Sequence, residues 1–402
     1  MHPLLPPGTD PGIKPIFGAR ALRGFADGFV AVLLPVYLLA LGLNGVAVGA
    51  IATATLLGSA LATLAVGAWG HLRTGKALLL VAAALMALTG LAFSIASTFW
   101  PLLVIAFVGT INPSSGDVSM FLPLEHARLA AASDDTQTRT SVFARYALGG
   151  ALCAALGALA SGAPDRMVAL MGVTRLGALR GMFVLYGLIG VAVWLLYRRL
   201  PQQHVSDAAK PAPLGLSKAV VVKLAALFSI DSFAGGLVVN SLLALWLFQR
   251  FGLSLAAAGA FFFGSGLLGA VSQLAAPRLA QRIGLVNTMV WTHIPASLCL
   301  IAAAFATDVR LALGLLLMRA LVSSMDVPAR SAFVMSVVQP HERASAASFT
   351  AVPRSLAAAA SPLLAGWLLQ SGWDSAPLVV CGVLKIGYDL ALWRAFRLTR
   401  SL

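Results

Sequence analysis

The sequence predicts an all-α membrane protein of twelve transmembrane helices, arranged as two pseudo-symmetric six-helix bundles. Three observations predict it. First, the 402 residues are 59% hydrophobic and only 10% charged, whereas a soluble domain carries about 25% charged residues. Apolar side chain in that proportion needs lipid as its solvent. Second, the apolar residues fall into runs near the ~20 residues a helix needs to cross a bilayer, six before and six after a polar stretch. Third, SSGDV (114–118) falls on SSMDV (323–327) when the chain is shifted by 209 residues.

In the first half the runs cover 21–43, 46–69, 77–97, 100–122, 141–163 and 179–198. In the second they cover 220–248, 255–276, 284–306, 311–335, 346–370 and 376–396. The stretch 200–217 is rich in Pro and polar residues and reads as the linker, giving bundles at 1–199 and 218–402. The first sixteen residues are rich in Pro and Gly and lack an apolar core, so no cleavable signal peptide is expected. Within the fourth run, NPSSG (112–116) interrupts the apolar residues and predicts a loosened helix.

Basic residues set the orientation. Arg20, Arg23, Arg73, Lys76, Arg128, Arg139, Arg198, Arg199, Lys210, Arg278, Arg282, Arg343 and Arg394 all fall on the side that holds the termini. The other side has Arg166, Arg175, Arg180, Arg250 and Arg310. Lys and Arg accumulate on the cytoplasmic face, so both termini are expected in the cytoplasm. The formal net charge of +14 is explained by this topology, and nucleic acid is not an expected partner.

The 209-residue shift also carries Arg145 onto Arg354 and Gly157 onto Gly366, and FADG (25–28) resembles FAGG (233–236) at a shift of 208. A near-constant shift over several helices is the mark of duplication, with both halves in the same orientation. The expected relation is a two-fold axis along the membrane normal.

With two parallel six-helix halves, a polar central linker and about 400 residues, the chain resembles the major facilitator superfamily. The loop between helices 2 and 3 reads GAWGHLRTGK (67–76): Gly67 and Lys76 fit the family's loop motif, while His71 stands where its acid belongs. Helix 5 lacks the Gly-Pro motif of antiporter members, and SPLLAG (361–366) in helix 11 is the nearest match. The resemblance implies a secondary transporter working by alternating access in a plasma membrane of the bacterial inner-membrane kind. It also implies a site near the midplane and a first helix of each half that lines the cavity.

Charges inside spans cost about 2.5–3.5 kcal/mol each and mark function or pairing. Asp117–Arg145 and Asp326–Arg354 read as repeated ion pairs forming a cytoplasmic gate, with a static structural pair as the alternative. Arg319, near the middle of helix 10 without an acid one turn away, reads as a cavity or substrate residue, with pairing to Asp326 as the structural alternative. Asp27 and Asp231 lie in first helices. A carboxyl in a partly dry cavity is pushed toward its protonated form, which suits either for proton coupling; pairing with Arg23 is the alternative for Asp27. Asn112 and Asn240 are candidate cavity residues. Lys385 and Asp389, one turn apart, read as a structural pair, and Glu125 and His126 as solvated edge residues.

Cys153, Cys299 and Cys381 share no short spacing, and His71, His126, His204, His293 and His341 are scattered. No metal, cofactor or ATP is expected, since no ligand spacing or phosphate-cradling loop occurs. No nucleophile–base constellation marks an enzyme. The expected function is proton-driven efflux of a small molecule, that is, an antiporter. Uptake or facilitated diffusion is the alternative, and a non-transporting membrane sensor a further one. Expected partners are the lipid bilayer, a small-molecule substrate and protons, with the chain monomeric.

Overall fold

A computed structural model describes residues 9–69, 74–114, 119–133, 135–202 and 214–397. Among them every regular element is helical, and eleven segments are long and apolar enough to span, with Phe99–Val108 as a shorter apolar helix. The chain divides into two compact units, residues 1–207 with 253–263, and residues 208–252 with 264–402. The stretch 203–213, most of the expected linker, lies outside the described residues, as do His71 and Asp117.

The first unit contains α1 (Lys14–Ala40), α2 (Gly45–Trp69), α3 (Gly75–Ile95), α4 (Phe99–Val108), α5 (Phe121–Ala130), α6 (Thr136–Ala160), α7 (Ala163–Met171) and α8 (Arg175–Arg198). Polar caps start several of them. Thr74, Asp135 and Thr174 accept backbone N–H groups from Ala77, Thr138 and Gly177, replacing partners that a first turn lacks. The hydrogen bond from Thr138 holds the Asp135 carboxyl below the usual carboxylate range. α1 packs on α6 and α8, α3 on α8, and α2 on α4. Gly28 permits the first contact: a Cβ there would collide with the Ala154 carbonyl oxygen of α6.

The second unit contains α9 (Lys218–Gly236), α10 (Asn240–Phe251), α11 (Leu255–Ile283), α12 (Leu285–Phe305), α13 (Val309–Ser323), α14 (Asp326–Val337), α15 (Arg343–Gln370) and α16 (Ala376–Phe396). The opening of α11, to Phe263, groups with the first unit. α9 packs on α15 and α16, and α12 on α16. These are the pairings of the first unit repeated, with α9, α12, α15 and α16 in the places of α1, α3, α6 and α8. Glu342 clasps the start of α9 to the turn before α15: its oxygens accept the Gly215 and Ser217 N–H groups at 2.9 and 3.1 Å. Hydrogen bonding from Ser217 holds that carboxyl below its usual range.

Three spans are interrupted within the runs at 100–122, 220–248 and 311–335, while Lys218–Phe251 and Val309–Val337 each remain one segment long and apolar enough to span. The fourth span stops at Val108 and resumes at Phe121, the seventh stops at Gly236 and resumes at Asn240, and the tenth breaks between Ser323 and Asp326. The tenth break falls inside SSMDV, where Ser324 offers the backbone a local partner that competes with the helix; of SSGDV only Ser114 is among the described residues. Asp326 then opens α14 in its first turn, where the helix dipole favours an acid. Large apolar side chains such as Val81, Ile95, Trp100 and Phe305 are exposed, as expected of faces turned to lipid.

Candidate functional site

Each unit buries a cluster of ionisable side chains, and local helix periodicity explains how. On α9, Val221, Leu224, Phe228 and Asp231 are all buried. Steps of three or four residues put them on one face, so Asp231 continues an apolar stripe. On α16 the buried positions Leu378, Cys381, Lys385, Tyr388, Asp389 and Leu392 form a similar stripe. Val221, Leu224, Phe228, Met289, Phe333 and Tyr388 share one core, and the charges sit at its edge.

There Asp231 takes a cation on each oxygen. Lys385 Nζ donates to Oδ1 at 2.6 Å, and Arg330 Nη2 of α14 stands 3.2 Å from Oδ2. The same Arg330 nitrogen bonds Asp326, one turn earlier on its own helix. Behind Lys385 lies His293 of α12. Its Nε2 is 3.4 Å from Lys385 Nζ and its Nδ1 is 3.2 Å from Asp389 Oδ1. Arg354 of α15 donates from Nε to Ser232 Oγ at 3.3 Å, with its guanidinium 6.0 Å from the Phe228 ring centre. Three acids thus face Arg330, Lys385 and Arg354. Charges this deep are tolerated only when paired and hydrogen-bonded.

In the first unit Phe121, Glu125 and Leu129 are buried on α5, again at helical spacing. Glu125 pairs with Arg23 of α1 and accepts the hydroxyls of Tyr146 and Tyr197, the latter at 2.7 Å. The Arg23 guanidinium lies 4.1 Å from the Phe121 ring centre. Shifted by 209 residues, Arg23 falls beside Asp231 and Glu125 falls one turn from Arg330. The two units therefore join equivalent helices with an ion pair whose polarity is reversed between them.

The expected residues are placed as follows. Asp27 lies half-buried on α1 within electrostatic reach of Arg23 and Arg20. Arg23 itself is taken by Glu125, so Glu125 is no solvated edge residue, because its helix face is apolar. Arg145 is on an exposed face of α6. The expected Asp326–Arg354 contact is absent from this arrangement: Asp326 is held by Arg330, four residues along its own helix, and Arg354 turns to Ser232. Lys385 and Asp389 do not pair with each other either, since Asp231 and His293 reach them from other helices. Asn112 is buried in the fourth-span break, its Oδ1 accepting the Ser114 N–H and hydroxyl at 3.0 and 2.7 Å. Asn240 begins α10, directly after the seventh-span break.

Arg319 is half-buried on α13. Among the described residues it forms no hydrogen bond or ion pair, and Cys299 and Cys381 lie within its electrostatic reach. Its alternative partner, Asp326, is occupied by Arg330. Elsewhere in the first unit a largely apolar groove of about 760 Å³ is lined by Phe25, Leu156, Met167 and Leu170, with Arg166 as its charged residue. None of the expected site residues lines it. Among the described residues no group of His, Cys, Asp and Glu is arranged to hold a metal ion.

Comparison with known proteins agrees with this architecture. The sequence model of the Major Facilitator Superfamily matches residues 16–319 and again 224–401. The uncharacterized membrane protein YJR124C of Saccharomyces cerevisiae is 25% identical over 420 residues, covering 94% of this chain and 93% of that one. Among solved structures, the nucleoside transporter NupG superposes with a TM-score of 0.73 at 15% identity, covering 96% of this chain and 100% of that one. A bacterial homolog of the human lysosomal transporter Spinster, inward-facing and occupied, gives 0.72 at 13% identity over 96% and 97% of the two chains. The human organic anion transporter MFSD10 gives 0.64 at 16% identity over 95% and 100%.

Proposed function

The chain belongs to the Major Facilitator Superfamily, a family of membrane transporters of small substrates, and from that premise we propose that it exports a small molecule by alternating access, driven by protons. The carrying observation is Asp231, buried between Lys385 and Arg330 from two other helices. Neutralising this one carboxylate releases both cations and re-sorts three helices at once. A bound proton shifts a conformational balance only by interacting differently with the two states, and Asp231 offers such a difference. Asp27 is the first unit's candidate for the same task, one turn along α1 from Arg23, which is the residue that falls beside Asp231 under the repeat. In this reading both termini are cytoplasmic, the membrane is a bacterial inner membrane, and the chain works as a monomer.

On the substrate side, Arg319 supports a ligand with an anionic group or strong acceptor, because a guanidinium keeps its charge and needs a partner inside a membrane. Asn112 and Asn240, beside broken spans, supply further polar contacts. The test is flux into vesicles that hold the purified protein and an inside-acid gradient, screened across small organic compounds with anions included. Gradient-driven accumulation of at least one is expected. Flux indifferent to the gradient would give a facilitative carrier instead, and no flux across the panel would overturn the reading. Arg319→Ala is expected to weaken apparent affinity about tenfold or more, as for a lost hydrogen bond to a charged group; unchanged affinity in folded protein removes Arg319 from the site.

The gate reading takes a revised form: Asp326 exchanges Arg330 for Arg354 in the state closed to the cytoplasm, with Asp117 and Arg145 as the first-unit counterpart. Arg354→Asp is expected to change cysteine accessibility from the cytoplasm more than substrate affinity. Combining it with Asp326→Arg is expected to restore part of the transport. No rescue together with unchanged accessibility removes the gate.

A further inference from the structure

We propose that the buried His293–Asp389 pair is a proton-binding site, and that a proton taken up there displaces Lys385 from the imidazole and gives Asp231 an imidazolium partner in its place. The inference rests on the proton-driven reading above and adds a place where the proton first binds, ahead of Asp231, whose oxygens stay covered until Lys385 leaves.

The tautomer follows from the neighbours. With Asp389 ionised, Nδ1 at 3.2 Å from its carboxylate carries the hydrogen and donates. Nε2 faces the Lys385 ammonium at 3.4 Å, so it must offer its lone pair. In the proposed resting arrangement the imidazole is neutral, with one basic nitrogen covered by a lysine N–H.

The other acids are less open to a proton. Asp231 has a cation on each oxygen, and the Asp326 oxygen nearest Arg330 is bonded by it. Asp389 Oδ2, by contrast, is buried without a hydrogen-bond partner. An acceptor left without a donor in a dry site is costly; a positive charge on the imidazole supplies no donor to Oδ2 but stabilises the ionised carboxylate beside it.

The groups facing His293 come from every side. Asp231 lies on α9, with its Oδ1 4.0 Å from Nε2. Arg330 and Asp326 come from α14, and Lys385, Tyr388 and Asp389 from α16, the Tyr388 ring edge-on at 6.3 Å. Arg354 of α15 stands beyond Ser232, and Arg319 of α13 lies toward Cys299 and Cys381. With His293 neutral, Asp231, Asp326 and Asp389 balance Arg330, Arg354 and Lys385.

One proton from bulk water then forms an N–H bond at Nε2 and breaks the hydrogen bond from Lys385. Ammonium and imidazolium cannot share that contact. The new N–H points at Asp231, already 4.0 Å away, so the imidazolium competes for the oxygen that Lys385 holds. The freed lysine lies on α16, and the acid it leaves lies on α9, so protonation loosens the joint between those two helices. Loss of the proton restores it.

The test needs no substrate. The full chain, carrying 15N-labelled histidine, is purified in lipid nanodiscs and titrated by NMR from about pH 5 to 8, where an unperturbed histidine changes charge. The His293 signal is assigned as the one missing in His293→Gln. The expected result is a neutral Nδ1–H tautomer that converts to imidazolium within that range. Asp389→Asn is expected to move the midpoint down by about a unit or more, because an opposing charge has been removed. Lys385→Met is expected to move it up. A His293 that carries its hydrogen on Nε2, or keeps one form across the range in both wild type and Lys385→Met, overturns the site. Vesicle flux stays a separate measurement: gradient-driven flux with a silent His293 removes this site and keeps proton coupling. A titrating His293 with gradient-indifferent flux keeps the site and removes the coupling.

Discussion

Replacing Glu125 by alanine is expected to destabilise the first unit by about 3–5 kcal/mol, because it leaves the Arg23 guanidinium buried without its counter-charge. Arg23 is 3% exposed and Glu125 fully buried, so water does not replace the missing carboxylate. Tyr146 and Tyr197 lose their acceptor in the same step, at about 1–3 kcal/mol for each hydroxyl left unsatisfied. The Phe121 ring under Arg23 still offers a cation–π contact, worth about 0.5–2 kcal/mol, too little to offset that loss. Glu125→Gln keeps an acceptor for the phenols and loses only the charge, so it is expected to fall between. Thermal unfolding in one fixed detergent, read as the fraction of dispersed protein left after heating, ranks the three. A Glu125→Ala protein within about 0.5 kcal/mol of the unmodified chain, the usual range for surface changes, would mean that the carboxylate is not buried against Arg23.

This cluster also shows what one sequence does and does not reveal. Glu125 stands in FLPLEHARLA, beside His126 and Arg128, and the polar company suggests a wet edge. Helical spacing tells otherwise, since Phe121, Glu125 and Leu129 fall on one face, and an acid in the middle of an apolar stripe must find a partner. The same test applied to Val221, Leu224, Phe228 and Asp231 explains the burial of Asp231. The twelve spans were readable because their signal is local: each needs only its own run of apolar residues. The break in the fourth span was half readable, through NPSSG, whereas the seventh announces its break only by Gly235 and Gly236, which were read as part of a repeat.

Partner choice across helices was not readable. Lys385 and Asp389 are one turn apart, and that spacing alone suggests a pair. The actual partners, Asp231 and His293, lie 154 and 96 positions away in sequence. Such contacts are fixed by how helices pack, which a single sequence does not encode in any window. His293 carried no metal-ligand spacing and so drew no attention. Arg330 had a usable signal, since it follows Asp326 by four residues. The 209-residue repeat pointed instead to Arg354, because repetition marks position and not which neighbour wins a bond.

Asp231→Asn is expected to abolish gradient-driven accumulation while leaving substrate exchange without a gradient largely intact. The amide cannot take up and release a proton, so the step that couples the gradient to the helix rearrangement is gone. Its one oxygen can still accept from one of the two cations, while its NH2 group offers the other no acceptor. The substitution also carries a stability cost, and that cost could mimic a transport defect. Lys385 loses its counter-charge and is left with the His293 imidazole at 3.4 Å, and breaking one side of a buried pair typically costs about 3–5 kcal/mol. Adding Lys385→Met removes the stranded charge, since apolar replacement of a whole buried pair is often neutral or stabilising. The double variant is therefore expected to regain thermal stability and still fail to accumulate substrate. Normal gradient-driven accumulation in Asp231→Asn alone removes Asp231 from the coupling mechanism. Accumulation that returns only in the double variant assigns Asp231 a different task, the counter-ion that makes a buried lysine tolerable.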